Sequence, residues 1–102
     1  MRGLFKGIGQ DCHSMVIPNK LDVLQQLVGG PIEVVCVMDD VALICNEHGK
    51  LLGLKPNFWV NDLDDYIVGP AIFVGIDKDD FCDINPLKER FIRFVLKEEG
   101  RL

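Results

Sequence analysis

Ile32-Glu33-Val34-Val35-Cys36-Val37-Met38-Asp39-Asp40-Val41-Ala42-Leu43-Ile44-Cys45 decides the fold. The first seven residues are rich in β-branched side chains, which suit a pleated and half-buried surface, and Asp39-Asp40 is a pair that tight turns favour. The stretch predicts a strand over Ile32–Met38, central in its sheet, then a turn, then a strand over Val41–Cys45. Just beyond it, Asn46-Glu47-His48-Gly49 reads as a four-residue connection into a further strand over Lys50–Leu54. That would make a hairpin with Glu47 and His48 at its tip.

Upstream, Met1–Ile8 and Cys12–Pro18 read as two strands joined at Gly9-Gln10-Asp11. Asn19 stands where an N-cap should, with Asp22 three residues on. Leu21, Leu24, Leu27 and Val28 then mark the apolar stripe of a helix of about three turns, which Gly29-Gly30 ends. Downstream, Lys55–Asn61 reads as a loop, and Ile67–Ile76 as a strand with a bulge or bend near Gly69-Pro70. Asn85-Pro86 gives a cap followed by proline at the first helical position, and Leu87, Phe91, Phe94 and Val95 recur at helical spacing, predicting a helix packed on the sheet. No segment repeats and no flexible linker divides the chain. The expected fold is a single α+β domain over residues 1–102, a mostly antiparallel sheet of about five to six strands packed with two helices.

The chain has 102 residues, of which 48% are hydrophobic and 26% charged, as in globular proteins. Its apolar runs are too short to cross a bilayer, and Met1–Gly7 lacks the apolar core of a secretory signal, so a cytoplasmic location is expected. In that reducing compartment the four cysteines are free thiols or metal ligands, not a disulfide framework. With 16 acidic and 11 basic residues the net charge is -5. That argues against a direct grip on nucleic-acid phosphates and for a basic protein partner.

Zinc needs cysteine or histidine donors converging at about four positions. Cys45 and His48 are the best local pair, Cys12-His13 lies beside another turn, and Cys82 precedes the last helix, so two or three loops would have to meet. The paired spacing of a zinc finger is not repeated, and buried thiols with surface histidines are the plain alternative. Cys36, inside an apolar strand, reads as a core thiol. The same residues permit a thiol enzyme, with Cys45 or Cys12 as nucleophile and His13 or His48 as base, but no motif supplies an oxyanion hole.

Asp62, Asp64, Asp65, Asp77, Asp79, Asp80 and Asp83 fall within 22 residues in which Lys78 is the only base. As a patch they would attract a basic channel of another protein; as individuals they would serve turns and caps. Trp59, with Phe58 and Tyr66, is either a binding hot spot beside them or the anchor of its own loop.

Several stretches together, Leu27-Val28-Gly29-Gly30-Pro31-Ile32-Glu33-Val34-Val35, Asp40–Glu47, Gly49–Leu54, Pro56-Asn57 and Ile67-Val68-Gly69-Pro70, resemble a family of small proteins of unknown function. Phages, plasmids and other mobile elements of low-GC Gram-positive bacteria carry this family, and the likeness spans roughly residues 20 to 85. It implies an accessory protein that counters host defence. Some zinc-containing anti-CRISPR proteins, inhibitors of the Cas9 nuclease, are similar in size and setting. The function so implied is an inhibitor that binds Cas9 directly, without turnover, blocking nucleic-acid loading or a conformational step, with a structural zinc bracing its loops. The competing class is a small cytosolic metalloprotein or thiol enzyme of a mobile element.

Overall fold

In the computed structural model, which describes residues 1–102, two neighbouring strands set the architecture. Strands β4 (Val41–Asn46) and β7 (Ala71–Asp77) pair antiparallel, and all of β4 and the first five residues of β7 are buried. Side chains alternate along a strand. Val41, Leu43, Cys45, Ala71 and Phe73 therefore enter one apolar cluster, while Ala42, Ile44, Ile72 and Val74 enter another on the opposite face. A sheet centre that is apolar on both sides must be covered on both sides.

The layers follow from that requirement. The large sheet runs β2 (His13–Val16), β1 (Arg2–Lys6), β7, β4, β3 (Ile32–Met38), with the short β8 (Asp80–Cys82) paired to the end of β7. One face is covered by α1 (Leu21–Val28), which contributes Leu24 and Val28. The other is covered by α2 (Pro86–Glu99) through Ile92 and Leu96, and by a two-stranded ribbon of β5 (Pro56–Val60) and β6 (Asp65–Val68) through Phe58, Val60 and Ile67. The fold is α+β, with two helices and a mostly antiparallel six-stranded sheet beside a smaller one. No helix is long and apolar enough to cross a membrane.

Several expected elements are corrected. Strand β3 is an edge strand, not a central one, because β4 and β7 are the pair buried on both faces. No strand forms over Lys50–Leu54. The chain instead winds through turns in which Leu52 N–H bonds His48 O at 2.9 Å and Leu54 N–H bonds Gly49 O at 2.9 Å, so Glu47 and His48 are not a hairpin tip. Residues 56–60, read as loop, form β5. Helix α1 has eight residues; Lys20 is its N-cap without a side-chain bond, while Asn19 donates to Phe81 O at 3.3 Å. Gly29 ends it in the left-handed region at φ 84°, as expected of a C-terminal glycine. The break at Gly69-Pro70 is larger than a bulge, since it separates β6 from β7 and so one sheet from the other.

Two asparagines, Asn46 buried and Asn57 half-buried, hold the irregular segments. Asn46 donates from Nδ2 to Val28 O at 3.2 Å, at the end of α1, and its Oδ1 accepts from His48 N–H at 2.8 Å, opening the turns that follow. Asn57 donates to Lys6 O and Gly69 O, both at 2.9 Å, and accepts from Lys6 Nζ at 3.0 Å, tying β5 to β1. Backbone polar groups that leave a ladder must find partners when buried, and these side chains supply them.

Helix α2 begins as expected, with Asn85 Oδ1 accepting from Leu87 N–H at 2.9 Å and from Lys88 N–H at 3.3 Å. Its buried face is the surprise. Glu89, Ile92 and Leu96 point inward, whereas Leu87, Phe91 and Phe94 are exposed. Glu89 is held in place by Ser14, which donates to it at 2.8 Å, and by Arg2 at 3.2 Å; Arg93 Nη2 in turn bonds Ser14 Oγ at 2.6 Å. Burial alone would raise the Glu89 pKa, but the bonds from Ser14 and Arg2 outweigh it and hold the carboxyl below its ordinary 4.5. A depressed pKa means the ionised form stabilises the fold above the unfolded value, and that contribution is lost as the pH falls through the folded one. Arg2 is half exposed, so its share is screened and the Ser14 bond matters more. Glu89→Gln should therefore lower stability by about 1 kcal/mol near neutral pH, and the gap to the parent should shrink in urea titrations below about pH 4.

Candidate functional site

The five residues expected to bind zinc occupy three places. Cys12 is buried just before β2 beside a cavity of about 160 Å³, where Lys6, Arg93 and Lys97 are its neighbours. Burial pushes its thiol up, and the nearby Lys6 and Arg93 only partly oppose this. His13 faces outward, its ring 5.4 Å from that of Phe5. Cys45, in register with Glu33 of β3, opens on a second cavity of about 390 Å³ shared with His48, Glu33, Glu47 and Asp65. Burial, with Glu33 adding to it, pushes the Cys45 thiol up to about 11. Cys82 lies on β8 by a third cavity with Asp40, Asp77 and Asp83, and its thiol is raised by burial and by those carboxylates.

Only the Cys45 and His48 pair is brought to one cavity, and no three His, Cys, Asp or Glu side chains converge as a metal site would require. The donor set does not fit one tetrahedral zinc. Cys36, expected in the core, is exposed because β3 is an edge strand.

The acidic residues also divide. Asp62, Asp64 and Asp65 lie on the 3-10 turn at Asn61–Leu63 and on β6, whereas Asp77, Asp79 and Asp80 form the β7–β8 hairpin. Asp64 caps the 3-10 turn at φ 50°, and Lys78 and Asp79 form the two-residue hairpin loop at φ 50° and 70°, the left-handed pair that a type I′ turn requires. Asp65 pairs with Lys50 and accepts from its neighbour Tyr66 N–H, which together lower its pKa. Trp59 sits in β5, edge-on to Tyr66 at 5.0 Å, and its backbone binds Leu102. Asp64, Asp65, Asp79 and Trp59 thus have local structural work; Asp62, Asp77 and Asp80 stand free of ion pairs.

The outer face of α2 is apolar and exposed. Leu87, Phe91 and Phe94, spaced i, i+4, i+7 along α2, are 72%, 54% and 64% exposed. Phe91 is also one wall of a cavity of about 220 Å³ whose other apolar walls include Val35, Val37, Met38 and Val60. Val35 lines the Cys45 cavity too, so the two hollows meet along β3, whose outer edge has no strand partner. The seven-residue edge is apolar except for Glu33 and has no lysine or proline; Ile32–Cys36, ahead of the register shift between Cys36 and Met38, is the part open to strand pairing. The signal was present in α2: its apolar residues make two stripes, 87/91/94 and 92/96, and one helix face alone can meet the sheet.

Two readings of the thiols are separable by labelling. Native protein treated with a thiol reagent should react first at Cys36, more slowly at Cys82, and at Cys12 and Cys45 only on unfolding. A chelator should change neither that order nor the melting temperature; release of one zinc per chain with new reactivity at Cys45 would restore the zinc-stapled reading.

No curated protein and no solved structure matches the chain. Residues 1–95 match a family described as a domain of unknown function, DUF3846. That span takes in every strand and most of α2, and the chain belongs to this family.

Proposed function

We propose that this domain acts by holding a protein partner in a stoichiometric complex, without turnover, and that the hollows along β3 and the outer face of α2 receive it. The observation that carries the reading is the exposed Leu87, Phe91 and Phe94 stripe running into a groove beside an open strand edge. Exposed apolar surface of this kind marks interaction sites, and aromatic side chains dominate binding energy where they occur. An edge strand adds main-chain hydrogen bonds to an extended segment, with pockets for alternate side chains.

The occupant is an extended segment carrying apolar residues and Lys or Arg. Glu33 lies on β3, Asp62 lines the groove, and Glu47 lines the adjoining hollow, within a chain of net charge -5. Charge complementarity of this sort steers a basic partner and rejects an acidic one. The phage and plasmid likeness makes a Cas9 nuclease in the host cytoplasm the concrete target, bound at a surface it needs for nucleic acid or for domain movement. The thiol-enzyme class is weakened because the thiolate is the reactive form and burial keeps Cys12 and Cys45 protonated.

The test is titration of the domain against guide-loaded Cas9, with cleavage and binding both measured. Inhibition should saturate at about one copy per nuclease and weaken with salt. The Phe91→Ser, Phe94→Ser double variant should keep its melting temperature and bind at least about tenfold more weakly. Inhibition at far less than one copy, no binding, or an unaffected double variant would each refute the proposal.

A further inference from the structure

We infer that the cavity between β1 and α2 is a binding site for a small phosphate-class oxyanion. It is lined by Lys6, Asp11, Cys12, Arg93, Leu96 and Lys97, so three cations face one carboxylate in a protein that is acidic overall. The chain's ion pairs are Arg2 with Glu89, Lys50 with Asp65 and Lys88 with Asp40. None involves a cation of this cavity.

Lys6 is the centre of the case. It is 8% exposed, and a buried ammonium without a counter-charge is costly unless it is paired and fully hydrogen-bonded. Two of its donors are used, on Gly7 O at 3.1 Å and Asn57 Oδ1 at 3.0 Å. An ammonium has three. The third has no protein acceptor, and an oxyanion in the cavity would accept it while supplying the missing charge.

Arg93 and Lys97, one helical turn apart, stand on the same side of α2, as i, i+4 residues do. Arg93 spends one donor on Ser14 and keeps others for a bidentate contact with an oxyanion. Lys97 makes no hydrogen bond or ion pair inside the protein. A volume of about 160 Å³ lies below that of sites for drug-sized ligands, which fits inorganic phosphate or the terminal phosphoryl group of a small monoester. Asp11 is exposed at the rim and leaves the balance positive.

Calorimetry and thermal melting of the whole chain with inorganic phosphate, phenyl phosphate and sodium chloride at matched ionic strength test this. At least one phosphate compound should bind and raise the melting temperature where chloride does not. Binding of phosphate itself points to the free anion, and binding of the ester alone to an esterified source. Lys97→Gln, which disturbs no internal contact, should weaken that binding about tenfold, as loss of a charge-assisted bond does. Lys6→Met should abolish it if the variant folds, and Arg93→Gln should weaken it in any case. Equal effects of phosphate and chloride, or unchanged affinity in Lys97→Gln, would overturn the inference.

Discussion

The constraint on which the rest depends is that β4 and β7 are apolar on both faces. Each fully buried Val, Leu, Ile or Phe side chain contributes about 1.5–3 kcal/mol when it leaves water, so the two strands cannot stand at an edge or face solvent. Their position in the middle of the sheet makes β3 and β2 the outer strands. It also requires one layer over each face: α1 over Ala42, Ile44, Ile72 and Val74, and α2 with the β5–β6 ribbon over Val41, Leu43, Ala71 and Phe73.

The two-sided cover makes the polar buried groups necessary. A ribbon laid on a sheet brings irregular backbone with it, and Asn57 meets Lys6 O and Gly69 O where β5 crosses β1. Asn46 does the same between α1 and the turns after β4. The family-like segments around Gly29-Gly30, Asn46 and Pro56-Asn57 are accounted for by these contacts. Gly30 is one example: a Cβ there would stand 2.9 Å from Asn46 Nδ2.

The fold class was legible because its signals are local: β-branched runs, the Asn85-Pro86 cap, Gly29 after a leucine stripe. What was not legible depended on partners distant in sequence. Ile32–Met38 is the longer and more β-branched run, which suggests a central strand, but Glu33 interrupts it; the unbroken apolar run is Val41–Cys45, the pattern of a strand buried on both faces. Lys50–Leu54 suggests a strand only by its leucines and its place after a turn; it has no β-branched or aromatic residue, and the Asn46 bond to His48 N–H opens turns instead. The stripe of α2 was assigned by hydrophobicity, which favours Phe91 and Phe94; the burial of Glu89 rests on Ser14 and Arg2, more than 70 residues away and unseen by any periodicity. Proximity to turns groups the zinc donors in sequence, whereas in three dimensions Cys12, the Cys45 and His48 pair, and Cys82 line three separate cavities and His13 lines none of them.

That misassigned helix face is where fold and function meet. If Phe91 and Phe94 had turned inward, Glu89 would have lost Ser14 and Arg2, and the buried face would have gained two rings at the contact that Ile92 and Leu96 now fill. The polar network therefore acts together with buried Ile92 and Leu96 to hold the rotation of α2 that displays the aromatic pair outward. The same helix turn carries Arg93 from Ser14 toward the cavity beside Lys6. That one orientation presents two surfaces at once, an apolar one beside the free edge of β3 and a cationic one beside β1.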